Sequence, residues 1–243
     1  MDETGISMDE FKDAFEKGNL FASGVAVDYG ANLIVAKAGD AAKQDDGTDV
    51  SQKRKNLRVV GKQELASNIK IGMRMPSFRA LNQSDARPWH FQERLKSDRR
   101  WRLVVFAGDV SNTKLMERTQ ILGASLAYSK SFVSRFTPPR KPIDSIIEAI
   151  VIHSATRTSV DIFDFPEIFR PFDKRDSWGY MKIYVNDQSY HEGHGQAYKN
   201  YGVDSKEDCV VILRPDQYVG FVSALEDVEA MDHYFSGFMV AES

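Results

Sequence analysis

Cysteine is nearly absent from this sequence, which has 243 residues and a single thiol, Cys209. One cysteine excludes an internal disulfide, a CxxC redox motif and a cysteine-rich zinc site. Long apolar runs are also lacking, so no membrane span is predicted. The acidic start, Met1-Asp2-Glu3, is followed by no apolar stretch of the kind found in signal peptides. We therefore expect a soluble, reduced, cytoplasmic protein.

A large excess of charge of either sign is lacking too. The formal net charge is -3 and the sequence pI is about 6.0, which gives no reason to expect nucleic acid or an anionic membrane as a partner. Hydrophobic residues make up 42% of the chain and aromatic residues 11%. That content is ample for a packed core, so the chain is predicted to fold as one large domain or as a medium domain with an appendage.

The N-terminal part has little sequence with which to build a core. Residues 8–17 have the pattern of a short amphipathic helix that ends at Gly18. Residues 19–37 favour two short strands around Asp28-Tyr29-Gly30. Residues 39–56 contain almost nothing apolar and mix Gly, Asp and Lys, which is typical of a flexible linker or surface loop.

The stretch that organises the rest of the chain lies near its end. Cys209–Leu213 is a continuous apolar run, as expected for a strand buried on both faces. Arg214-Pro215-Asp216 predicts a turn, and Tyr218–Val222 a returning strand. Ser223 and Glu226 have the spacing of a capping box before a helix with one apolar face. A strand, a turn, a strand and a packed helix resemble the closing ββα unit of a thioredoxin-like domain.

Earlier segments supply the remaining elements of such a domain. Trp101–Gly108 is the strongest strand pattern before the hairpin, and a mainly helical segment follows at Thr113–Phe132. Further strands are predicted at Ala149–His153 and Met181–Val185. A β-α-β-α order that leads into β-β-α predicts an α/β fold with a central mixed sheet flanked by helices.

Several stretches together resemble one family. They are residues 68–109, 163–168 (FDFPEI), 189–204 (SYHEGHGQAYKNYGVD) and 209–221 (CVVILRPDQYVGF). These stretches look like the C-terminal thioredoxin-like region of FAD-dependent phenol hydroxylases (phenol 2-monooxygenases), which serves mainly in dimerisation.

The resemblance also implies a domain organisation. Residues 9–36 are similar to the end of the preceding substrate domain in that family. It therefore implies a substrate-domain remnant at residues 1–38, a linker at 39–56 and a thioredoxin-like domain at 57–243.

Full-length members of this family use FAD and NADPH, but their flavin motifs have no counterpart in this sequence. The GxGxxG fingerprint is absent, and Gly39-Asp40 and Gly108-Asp109 are isolated pairs outside the family's second flavin motif. We therefore expect no bound cofactor and no hydroxylase activity from this chain. The expected role is interaction, either as a homodimer or by docking to a flavin-bearing monooxygenase chain. A gene fragment without independent activity is a further possibility.

An enzymatic alternative stays open. A pocket between the substrate-domain remnant and the thioredoxin-like domain could hold a small aromatic or polyketide-like metabolite and catalyse a cofactor-independent isomerisation, cyclisation or dehydration. The first acid–base candidates are Tyr29, His90, His153, His191 and His194, since histidine titrates near neutral pH. Nothing in the sequence brings these five residues together. The alternative requires a closed apolar pocket that holds a histidine with a perturbed pKa.

Other polar motifs favour structural roles. His191-Glu192-Gly193-His194 has neither the HExxH spacing nor an adjacent third ligand, so we expect a turn and no metal site. Asp85 with Arg87, and Arg214 with Asp216, are expected to hold turns.

One set of basic residues could suggest an anion site, but a solvated face is expected because nearby acidic residues dilute its charge: Arg99, Arg100, Arg102, Lys130, Arg135, Arg140 and Lys141. Four phenylalanines are expected to contact the core or a dimer partner, namely Phe132, Phe136, Phe163 and Phe165.

Overall fold

A computed structural model of the protein describes residues 7–22, 26–38, 59–175, 177–191 and 193–241. Its centre is a seven-stranded mixed sheet. The strands of this sheet are Arg79–Asn82 (β1), Pro88–His90 (β2), Trp101–Gly108 (β3), Ile147–His153 (β4), Ile183–Val185 (β7), Cys209–Leu213 (β10) and Val219–Ser223 (β11). Two small hairpins lie outside it, Phe172–Asp173 (β5) with Ser177–Trp178 (β6), and Gln188–Ser189 (β8) with Gly193–His194 (β9).

The helices lie between and after the strands. The α-helices are Met8–Ala22 (α1), Thr113–Ala127 (α2), Phe132–Phe136 (α3), Ala197–Tyr201 (α4) and Val228–Ser236 (α5). Short 3-10 helices occur at Gln63–Ala66, Phe91–Arg94, Arg157–Ser159, Ile162–Asp164 and Glu167–Phe169. Among the described residues, no helix combines the length and the apolar character that crossing a bilayer requires.

The order of strands in the sheet is β11-β10-β3-β4-β7-β1-β2. β3 and β4 are parallel and are joined through α2, while β10 runs antiparallel to both β3 and β11. The β11-β10-β3-β4 part, with α2 after β3 and α5 after β11, is the thioredoxin arrangement. The predicted α/β fold, a central mixed sheet flanked by helices with a closing ββα unit, is therefore confirmed.

The central strands are buried on both faces, which explains their continuous apolar sequences. Along β3, Leu103 and Val105 belong to the core on one side of the sheet, whereas Val104 and Phe106 belong to the core on the other side. Successive side chains of a strand point to opposite faces, so both layers need apolar residues at every position. The one thiol, Cys209 in β10, is buried, and burial raises its pKa well above the ordinary value.

The C-terminal hairpin forms as predicted, but the helix after it begins elsewhere. The turn between β10 and β11 is closed by hydrogen bonds between Arg214 and both Gln217 and Tyr218. The predicted capping box is wrong, because Ser223 is the last residue of β11 and is buried there. Helix α5 begins at Val228, after residues 224–227 complete the turn.

The N-terminal predictions need two corrections. The helix does not end at Gly18 but continues to Ala22, because a glycine within an exposed helix costs only about 1 kcal/mol relative to alanine. The two strands expected within 19–37 are absent from the described residues, where α1 is followed by irregular chain at 26–38. In that segment the amides of Tyr29 and Ala36 donate to the carbonyls of Gly72 and Gly220. These bonds to other parts of the chain replace a local hairpin.

The domain boundaries stay a prediction. The proposed linker at 39–56 lies outside the described residues.

Two glycines with a left-handed backbone conformation, Gly202 and Gly193, permit a test of local packing. Gly202 follows α4 with φ +68°, and a Cβ there would lie 2.2 Å from Ser67 Oγ and 2.8 Å from the amide nitrogen of Asn68. Gly193 has φ +66° but no atom within 4 Å of the same position. We expect Gly202→Ala to lower the free energy of unfolding by about 2 kcal/mol, and Gly193→Ala by about 1 kcal/mol, since only the first adds a steric conflict to the backbone strain. Urea denaturation of both variants checks this, and equal losses would contradict the packing argument.

Candidate functional site

Three aromatic rings and an arginine form a cluster on the surface. Trp178 in β6 contacts its cross-strand partner Phe172 in β5, with ring centroids 5.1 Å apart, and contacts Phe163 at 5.6 Å. Phe163 and Phe172 are 51% and 52% exposed. The guanidinium of Arg170 lies 4.8 Å from the ring centres of both Phe163 and Trp178. We call Phe163, Arg170, Phe172 and Trp178 the aromatic cluster.

Two clefts adjoin the aromatic cluster, one at Phe172 and Trp178 and the other at Phe163. The ionic cleft, with a volume of about 590 Å³, includes Phe172 and Trp178 in its walls. The loop cleft, of about 650 Å³, is formed by residues 157–164 with Gln83 and Ser84, and includes Phe163. Tyr180 lines both clefts. Because Phe163 contacts Trp178, one continuous cluster borders the loop cleft through Phe163 and the ionic cleft through Phe172 and Trp178.

Six charged residues form a network beside the ionic cleft. Glu148 in β4 is opposite Arg102 in β3, and its Oε2 accepts from Arg102 Nε at 2.9 Å. Its Oε1 accepts from Arg100 and from Lys182. The other two members are carboxylates: Asp98 accepts from both arginines, and Asp144 accepts from Arg100 and Lys182. Three cations thus meet three carboxylates, so the network is neutral overall.

Burial within this network corrects the sequence interpretation of the arginines. Of Arg99, Arg100 and Arg102, only Arg99 is solvent-exposed. Arg102, which was expected on a solvated face, has a side chain only 2% exposed. Burial alone would raise the pKa of Asp98, but hydrogen bonds from Arg100 and the charge of Arg102 outweigh it and hold that pKa at about 2. Asp98 is therefore ionised at neutral pH, as its two cationic partners require.

His153 has the perturbed pKa that the enzymatic alternative calls for, but its surroundings are those of a core residue. It is fully buried at the end of β4, with Nε2 3.0 Å from Gln83 Oε1, and its ring contacts Phe165. Burial lowers its pKa to about 4, against the opposing charges of Asp109 and Asp187. His153 lines neither the ionic cleft nor the loop cleft.

The other four acid–base candidates lie on separate elements. Tyr29 packs edge-on against Tyr218, with ring centroids 5.0 Å apart. His90 ends the edge strand β2, and His194 lies in β9. His191 follows Tyr190 beyond β8 and lines a further open cleft of about 400 Å³. Among the described side chains, no contact joins Tyr29, His90, His153 or His191 to another of these four.

The predicted turn residues make local contacts. The carboxylate of Asp85 accepts from the backbone amide of Arg87 at 3.0 Å. The guanidinium of Arg87 lies 5.0 Å from the ring centre of Trp89 and does not pair with that carboxylate in the contacts found. At the hairpin, Arg214 and Asp216 form an ion pair across Pro215. The structural roles of these residues stay a prediction.

The turn after β3 does not fit a dinucleotide. A Cβ at Gly108 would lie 2.7 Å from the carbonyl oxygen of Glu207 and 2.9 Å from a Leu115 methyl group, so the turn is packed against the chain. Asp109 accepts from the amide and hydroxyl of Ser111, and the Asn112 side chain caps the first turn of α2. A phosphate-binding turn needs open backbone amides at the helix start, and here side chains of the same turn occupy that position.

The described part of the chain contains no group of three or more His, Cys, Asp or Glu side chains that could hold a metal ion. In the HEGH segment, His191 follows β8 and His194 lies in β9, while Glu192 lies outside the described residues.

Sequence reasoning missed the charged network, the Gln83–His153 pair and the central position of Trp178. Only the FDFPEI motif and Phe163, expected in the core or in a dimer contact, pointed toward the cluster.

Comparison with known proteins connects the chain to one family. A family model described as "Phenol hydroxylase, C-terminal dimerisation domain" matches residues 27–243. An FAD-dependent monooxygenase, terD, of Aspergillus terreus is 33% identical over 234 residues, which is 95% of this chain and 34% of that protein. Phenol 2-monooxygenase fsqG of Aspergillus fumigatus is 32% identical over 232 residues, 96% of this chain and 34% of that protein. The chain thus spans about a third of the length of these relatives.

A solved structure, the thiol peroxidase from Chromobacterium violaceum, overlaps 68% of this chain and 85% of its own at 13% identity, with a TM-score of 0.36. That overlap is too loose to support a statement about function.

Proposed function

Since this chain belongs to the phenol hydroxylase C-terminal dimerisation domain family, we propose that it functions by self-association, as a homodimer. The observation that carries the proposal is the extent of the family match, which takes in every strand of the central sheet and all helices after α1. The same domain could also dock to a flavin-bearing monooxygenase chain. We further propose a cytoplasmic location, on the composition given above.

The chemistry named for the relatives belongs to proteins about three times as long. Their printed names describe FAD-dependent and phenol monooxygenases. We propose that this chain neither binds FAD nor hydroxylates phenol by itself, because the turn after β3 is packed and capped by its own side chains. Within this proposal, flavin and NADPH act in a partner or in another region of a monooxygenase, and this domain supplies the contact.

The cofactor-independent enzyme stays a prediction without a supporting observation. It requires a histidine with a shifted pKa in a closed apolar pocket. His153 has the shifted pKa but lines neither the ionic cleft nor the loop cleft, and the cleft that His191 lines is open.

Light scattering coupled to size-exclusion chromatography tests the proposed function. We expect a mass twice the 27.5 kDa of one chain at micromolar concentration, without the absorbance band of an isoalloxazine ring. A second run adds a flavin-bearing monooxygenase chain whose own C-terminal region belongs to this family. A chain that is strictly monomeric and binds no flavoprotein would contradict the proposal, and a yellow protein would contradict its cofactor part.

A further inference from the structure

We infer that the aromatic cluster is the centre of a two-fold contact between two copies of this chain. This inference rests on the proposed self-association and specifies the surface that carries it. The same face includes the ionic cleft and the loop cleft, which border different members of the cluster.

The composition of this face is typical of an interface centre. Phe163, Phe172, Tyr180 and Met181 are between 40% and 52% exposed, and Trp178 joins two of these rings into one continuous patch. Tryptophan, tyrosine, phenylalanine, methionine and arginine are the residue types enriched in interface centres. A contiguous exposed apolar surface of this kind marks an interaction site more often than a free surface.

The cluster is held in place by contacts within one chain. The Nε of Arg170 donates to the carbonyl of Phe165 at 3.1 Å, and its guanidinium lies over both Phe163 and Trp178. Trp178 is also paired with Phe172 across the β5–β6 hairpin. Rings that are already ordered lose little conformational freedom when a partner covers them, which favours association.

The charges beside the cluster indicate a second copy as the partner. The ionic cleft has a net positive charge, because its lining contains four cations and three carboxylates: Arg94, Lys96, Arg100 and Lys182 against Asp144, Glu148 and Asp173. In the loop cleft, Asp161 and Asp164 outnumber Arg157 and leave a net negative charge.

A two-fold axis through the cluster would place the ionic cleft of each copy opposite the loop cleft of the other. A two-fold contact uses the same patch on both copies. The positive cleft of each copy would therefore face the negative cleft of the other, which gives two equivalent attractive contacts. A polyanion such as nucleic acid or an acidic membrane would instead be repelled by the loop cleft.

Sedimentation velocity over a dilution series of the full chain tests this inference. We expect Trp178→Ala to weaken the dimer at least tenfold in dissociation constant. Phe163→Ser should do the same, and since its ring is half exposed, this second variant keeps the test valid if the first one unfolds the hairpin. The matched control is Tyr190→Ala, which removes a 95% exposed ring from the other small hairpin and should leave the dimer unchanged.

A variant with one reversed charge tests how much charge complementarity, as distinct from apolar contact, contributes to the affinity of the dimer. Lys96→Glu should weaken the dimer several-fold and reverse the effect of salt, because both clefts would then be net negative and salt would screen their repulsion. Lys130→Glu, at an exposed lysine beyond the end of α2, should do neither.

Different results would contradict the proposed function and the position of the contact. A wild-type chain that is monomeric overturns the proposed function and this inference with it. A wild-type dimer that the cluster variants leave intact overturns only the inference, as does a variant that loses a flavin-bearing partner but keeps its self-association.

Discussion

Replacing Glu148 by glutamine should lower the free energy of unfolding by about 3–5 kcal/mol. Its carboxylate is 7% exposed and accepts hydrogen bonds from Arg100, Arg102 and Lys182. Without that negative charge, the guanidinium of Arg102, 2% exposed, would keep Asp98 as its carboxylate partner among the described residues, but the network would hold three cations against two carboxylates. An uncompensated buried charge is far more costly than the loss of a surface ion pair. Urea denaturation followed by tryptophan fluorescence measures the change.

Two controls identify the cause of that loss. The double variant Arg102→Met with Glu148→Leu should be more stable than Glu148→Gln alone, because it removes both charges and leaves apolar side chains in their place. Asp13→Asn breaks an ion pair on α1 whose side chains are 63% and 73% exposed, and should change stability by less than about 0.5 kcal/mol. A loss below about 1 kcal/mol for Glu148→Gln would show that water reaches the network.

Between pH 4 and 6.5, two buried groups should change stability in opposite directions. Burial lowers the pKa of His153 from 6.5 to about 4. The unfolded chain therefore binds more protons at this position, and stability falls as the pH drops from 6.5 towards 4. Burial raises the pKa of Asp208 from 3.8 to about 6, against the charge of Arg118. In this case the folded chain binds more protons, and stability falls as the pH rises from about 4 to 6. Each change amounts to about 3 kcal/mol.

Single variants should separate the two effects. In His153→Gln the amide can still donate to Gln83 but cannot titrate, so stability should fall with rising pH because of Asp208. In Asp208→Asn stability should rise with pH because of His153. The measurement is the slope of unfolding free energy against pH for each variant, which is independent of the absolute loss that the substitution causes. Parallel slopes in the two variants would exclude one or both pKa shifts.

The central strands could be predicted from sequence because they are buried on both faces. Such a strand is apolar at nearly every position, so there is no need to decide which alternate residues face the core. Trp101–Gly108 and Cys209–Leu213 are apolar at nearly every position, and both form strands with those bounds. The capping box at Ser223 failed because a serine three residues before a glutamate fits a helix start as well as a strand end. Pairing of Val210 with Ser223 across the hairpin decides in favour of the strand.

Candidate functional residues were harder to predict, because their roles depend on distant partners. Arg102 has the sequence context of a surface arginine, yet the carboxylate that permits its burial comes 46 residues later, on the neighbouring strand. Trp178 lies in an irregular region and gains its position only through Phe163 and Phe172. The five acid–base candidates share a chemical type, but the fold gives each of them different neighbours.

The sequence by itself determined the family and the thioredoxin-like order of elements, and it showed that a glycine-rich nucleotide motif is lacking. All three can be recognised from local residue patterns and their spacing. The tertiary structure alone decided which charges are buried, which histidine loses its proton affinity and which aromatic rings stay at the surface. These properties depend on desolvation and on contacts between residues far apart in the chain, and no local pattern records either.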